Sequence, residues 1–143
     1  MIRPKKYFPL LFLILSINFS LTGCFNTKVS DCKKIINITT ELAVITQANL
    51  TTKDTKKILE IADIFENSGQ QILDKSFQDK QLNKYVKNLA IIYQNYGELT
   101  RNFVNAFQTK DTEKAIFYKE KIIKLSQDQK DLVNNINNYC RQN

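Results

Sequence analysis

The chain has 143 residues, enough for one domain around one core, and its formal charge of +7 would suit a polyanion. Setting aside Arg3, Lys5 and Lys6, which lie in a segment expected to be removed, leaves 18 of the 21 basic residues against 14 acidic ones; this surplus near +4 is interspersed in sign, so no nucleic-acid partner is expected. Histidine and tryptophan are absent, Met1 is the single methionine, both prolines fall in the first ten residues and only Gly69 and Gly97 follow Gly23, which argues against a metal, a cofactor and a strand-rich fold.

At the N-terminus, the three basic residues precede an apolar run from Tyr7 to Leu21, then the small pair Thr22 and Gly23. That order is the anatomy of an export signal, and the run is short of the roughly 20 apolar residues that span a bilayer. A retained anchor is the alternative. The segment ends Leu21-Thr22-Gly23-Cys24, which resembles the lipobox of bacterial lipoproteins. The resemblance covers the leader, residues 1–23, and implies cleavage before Cys24 and thioether attachment of a diacylglycerol to its sulfur. Two or three acyl chains give the stable anchoring that one does not. An ordinary secreted protein with a cysteine after its leader is the competing reading. On the lipobox reading the protein is extracytoplasmic, held by lipid on the periplasmic side or at the cell surface. Residues 24–30 are then a short polar linker, and residues 31–143 are the folded domain.

Lipidation of Cys24 would leave Cys32 and Cys140 as a pair. One stands at the start of the first expected helix and the other near the end of the last, positions that share an end of an up-down bundle, so a disulfide is expected; two buried free thiols are the alternative. The expected fold is all-α, an antiparallel up-down four-helix bundle after a cleaved signal segment. Its first helix runs from about residue 31 to 49, capped by Ser30 or Asp31, with Cys32, Ile35, Ile36, Thr39, Leu42, Ala43 and Thr46 on its inner side. In the second, Ile58, Ile61, Ala62, Phe65, Ile72 and Leu73 carry an apolar stripe to about Phe77, and Gly69 on that stripe suggests close helix contact.

The third helix begins at Asp79 and has the widest apolar face: Leu82, Tyr85, Val86, Leu89, Ile92, Tyr93, Tyr96, Leu99, Phe103, Val104 and Phe107. It is expected to be the core helix. The fourth opens at Asp111 and carries Ala115, Tyr118, Ile122, Leu125, Val133, Ile136 and Tyr139. The segment Thr52-Lys-Asp-Thr-Lys-Lys57 recurs as Thr109-Lys-Asp-Thr-Glu-Lys114, each copy placing an aspartate to cap the second member of a helical hairpin. The spacing Asp79-x-x-Leu82-x-x-Tyr85, with Asn137-Asn138-Tyr139-Cys140 and Cys32, also resembles a group of small exported cyanobacterial proteins. That resemblance covers most of the mature chain and implies helices and a terminal disulfide, with no activity attached.

Asp63 with Glu66 and Asp128 with Asp131 stand at i, i+3, spacing routine on exposed helix faces, so no enzyme is expected. Tyr85, Tyr93, Tyr96 and Phe103 are the candidate ligand or partner face, although helical spacing makes such aromatics core residues first, with hydroxyls reaching the surface. The leading expectation is a lipid-anchored, non-enzymatic binding or assembly module for a protein partner at the membrane surface. The alternative is a carrier of a small apolar or amphipathic ligand between the helices.

Overall fold

The computed structural model describes residues 23–49 and 52–142, with side chains from 27 to 47 and from 52 to 142. Residues 1–22, which hold most of the expected leader with Leu21 and Thr22, and the Cys24 side chain lie outside the described residues. The helices are α1 Gly23–Asn49, α2 Thr55–Asp74, α3 Lys80–Gln108 and α4 Thr112–Arg141. They form an antiparallel up-down four-helix bundle, with no strand among the described residues.

Aspartates start three of the helices by accepting backbone N–H groups that lack an intrahelical partner. Asp54 accepts from Lys56, Asp79 from Leu82 and Asp111 from Lys114, at 2.9, 2.8 and 3.1 Å. Both copies of the Thr-Lys-Asp-Thr echo therefore act as helix starts. At the end of α3 the N–H groups of Lys110 and Asp111 donate to the carbonyls of Phe107 and Ala106, at 3.2 and 2.9 Å. This is a Schellman turn, and it puts Lys110 at φ 57°, a left-handed position more often filled by glycine.

α3 is the core helix and shares its large faces with α2 and α4, while α1 touches all three far less. Leu82, Val86, Leu89, Ala90 and Tyr93 are buried on it. Gly69 of α2 is a close contact, since a Cβ there would lie 2.9 Å from the Ala90 carbonyl oxygen of α3. Backbone cannot swing aside as a side chain can. Gly69→Ala is therefore expected to cost about 1–3 kcal/mol by prising the helices apart, read from denaturant melts; an unchanged midpoint would contradict the close packing.

Several expectations need correction. Residues 24–30 are helical rather than an irregular linker, because α1 starts at Gly23 and runs through them. Asp31 consequently sits inside α1 and is not its cap. The inner face of α1 is Cys32, Ile35, Ile38 and Leu42, which turns Ile36 outward. Leu73 and Phe107 are also exposed, and α2 ends at Asp74, so Phe77 is buried from the turn after it.

The end of the bundle where α1 and α3 begin and α2 and α4 finish, the base, is tied by polar and covalent links. Cys32 and Cys140 form a disulfide with Cα atoms 5.9 Å apart, joining α1 to α4. Asp31, buried beside it, accepts from the N–H groups of Gln78 and Asp79 at 2.8 and 3.3 Å and from Lys34 at 2.8 Å. It thereby closes the α2–α3 turn from another helix. Burial alone would raise the Asp31 carboxyl, yet Lys34 and the two N–H donors outweigh it and hold the group below its ordinary value. Asp79 accepts from the Tyr139 hydroxyl at 2.7 Å, and Lys28 lies 4.2 Å above the Tyr139 ring. Burial would raise Asp79 as well, but donation from Leu82, Tyr139 and Gln81 lowers it.

Candidate binding cavity between the helices

Beside the inner stripe of α1, which Ile45 continues half-buried after Leu42, the flank that faces α3 and α4 carries only small side chains. Thr39, Ala43 and Thr46 stand on that flank, Ala43 exposed rather than inward as its spacing suggested, and the Thr39 and Thr46 hydroxyls donate back to their own helix, to Ile35 and Leu42 at 3.0 and 2.8 Å. Side chains of this size cannot reach the opposite wall. The outcome is an open-sided cavity of about 820 Å³ between the second half of α1 and the layer formed by α2, α3 and α4, with Thr40, Ala43, Val44, Gln47 and Ser126 exposed at its rim.

Its floor is aromatic. Phe65 of α2 stacks on Tyr96 of α3 with ring centres 4.8 Å apart and meets Tyr93 edge-on at 5.8 Å. α4 supplies Ile122, Ser126, Gln129 and Val133, which follow the i, i+4, i+7, i+11 stripe of one helix face. The Tyr93 hydroxyl pairs with Gln129 and the Tyr96 hydroxyl with Ser126 across the α3–α4 seam. Burial pushes Tyr93 up to about 12, and burial, with the field of Asp128, raises Tyr96. Both phenols are therefore neutral at any physiological pH. Tyr93 is 1% exposed, so its hydroxyl ends inside the bundle and not at the surface.

The four aromatics expected to share a face are divided among three places. Tyr93 and Tyr96 line the cavity. Tyr85 packs at the base against Tyr139, ring centres 6.0 Å apart, and Phe103 lies beside Phe107 at 6.3 Å toward the far end of α3. Periodicity did not single out Ser126 and Gln129. The signal available was the gap they leave, because the apolar stripe of α4 lapses between Leu125 and Val133.

Asp63 and Glu66 serve a structural role, both pairing with Arg101 of α3 beside Gly97, where any Cβ would collide with the Glu66 side chain. No group of histidine, cysteine, aspartate and glutamate able to hold a metal occurs among the described residues. No described helix is long and apolar enough to cross a membrane. At the turn between α3 and α4, Phe107, Ile116 and Phe117 are 63%, 53% and 51% exposed. No protein-family model, curated protein or solved structure matches the chain.

Proposed function

We propose that this chain is a lipid-anchored, extracytoplasmic bacterial lipoprotein that performs no chemistry and binds a small apolar or amphipathic molecule between its helices. The lipobox-like end of the leader supports the anchor, and the resemblance to small exported cyanobacterial proteins supports the same address. Since α1 begins at Gly23, an acylated residue 24 would hold the base against the bilayer. The single observation that carries the binding reading is the cavity above the Phe65, Tyr93 and Tyr96 floor, whose volume falls within the roughly 300–1,000 Å³ of small-molecule sites.

Native mass spectrometry of the gently purified protein is expected to reveal a discrete non-covalent mass beyond the covalent lipid. Ala43→Trp, which fills the cavity from α1, should remove that mass while leaving the disulfide formed. Repeated recovery of the unmodified chain with nothing bound would overturn the carrier reading.

A second reading, a docking module for a protein partner, is favoured by Phe107, Ile116 and Phe117 at the end remote from the proposed anchor. A stoichiometric partner captured from native membranes should then be lost with Phe107→Ser/Phe117→Ser and retained with Ala43→Trp. The reverse pattern would assign the partner to the cavity instead.

A further inference from the structure

We infer that the cavity selects an uncharged single-chain amphiphile with a hydroxyl-bearing head, and rejects charged amphiphiles of the same length. The inference rests on the carrier reading and adds the chemical class of the ligand. None of the residues lining the cavity is Asp, Glu, Lys or Arg, although 24% of the chain is charged. On α2, α3 and α4 lysines and acidic residues occupy the outward faces, whereas residues 39–47 of α1 carry a single charge, Glu41, which points away from the lining. Its polar members are hydroxyls and amides alone, among them Thr46, Gln47, Thr100, Ser126 and Gln129.

A sulfonate or ammonium seated against the buried floor would give up water without a counter-charge among the lining residues, and the field of the exposed Asp128 at Tyr96 opposes the sulfonate and offsets only part of the cost to the ammonium. A hydroxyl meets partners already suited to it. Thr46 has donated its proton to the Leu42 carbonyl, so its oxygen retains lone pairs for an incoming O–H. Gln47 and Gln129 each bring an amide that both donates and accepts. The alkyl chain would lie along Phe65, Ile122 and Val133. Discrimination of this kind comes from what the site lacks, an unpaired charge being the penalty on the wrong ligand.

The test uses the full-length protein in phosphatidylcholine vesicles and three photoactivatable probes of equal chain length: a monoacylglycerol, an alkyl sulfonate and an alkyl trimethylammonium. Labelling is mapped by peptide mass spectrometry. The monoacylglycerol is expected to label residues 39–47 and 122–133 at least about tenfold more than either charged probe. Gln129→Glu puts a carboxylate beside Tyr93 and should shift the preference toward the ammonium probe by about tenfold, and Ser126→Asp makes the same change from a more exposed position. Two variants keep the test alive if one fails to fold. Equal cavity labelling by all three probes, or an unchanged preference in both folded variants, overturns the charge selection and leaves the carrier reading standing. Absence of cavity labelling by every probe overturns both.

Discussion

The double variant Cys32→Ser/Cys140→Ser is expected to lose up to about 5 kcal/mol of stability, the chain-entropy value for a loop of this length. The bridge closes a sequence separation of 108 residues, nearly the whole of the four-helix bundle. Its loss will not fall evenly on the four helices. α2, α3 and α4 share broad apolar faces, whereas α1 is held by a narrow stripe from Cys32 to Leu42 and by the links at the base. Without the disulfide, α1 is expected to open as a unit while the other three remain packed, the kind of sub-global opening that amide exchange resolves. Hydrogen exchange of the oxidised protein and the double variant checks this, with faster exchange confined to residues 27–47. Uniform acceleration across all four helices would mean that α1 is packed as firmly as its neighbours, contrary to the observed interfaces.

Asp31→Ala is expected to cost about 2–3 kcal/mol at neutral pH, because it strands two backbone N–H groups of the α2–α3 turn and removes the ion pair with Lys34. Asp31→Asn, which keeps one acceptor oxygen, should cost about half as much. Both Asp31 and Asp79 have folded values below the unfolded 3.8, so their contribution is complete above that value and is lost as pH falls through the folded values. The stability gap between the native chain and Asp31→Ala should therefore be full at pH 7 and smaller at an acid pH below 3.8. Urea melts at the two pH values measure it. An equal gap at both would show that the carboxylate charge contributes nothing.

Much of this architecture is legible in particular residues. The helix starts are marked because an aspartate's short side chain reaches the free N–H groups of the next turn, and Asp54, Asp79 and Asp111 do so. The α3 face is readable because Leu82, Val86, Leu89 and Tyr93 repeat at helical spacing and all end buried. The meeting of Cys32 and Cys140 follows from the up-down order, since helices of an even-numbered bundle return the chain to its starting end.

Other features depend on contacts between distant segments. Asp31 has the sequence context of a cap, and its true partners lie 47 and 48 residues away in a turn that only tertiary folding brings near. Gly97 gives no local sign that Glu66 crosses over it. The cavity was half legible: Thr39, Ala43 and Thr46 are visibly small beside the inner stripe. A void, however, belongs jointly to α1, α3 and α4, and no single helix reports it. Tyr85 and Phe103 share a helix with Tyr93 and Tyr96 but stand too far along it to share a site.

The proposal that most depends on chemistry at one atom is the anchoring of this bundle through Cys24. Intact-mass measurement with N-terminal fragmentation, on protein extracted from native membranes, tests it directly. The expected species begins at Cys24, carries a diacylglycerol on its sulfur and has Cys32 and Cys140 bonded to each other. A chain that retains residues 1–23, or that begins with an unmodified residue, would contradict the account.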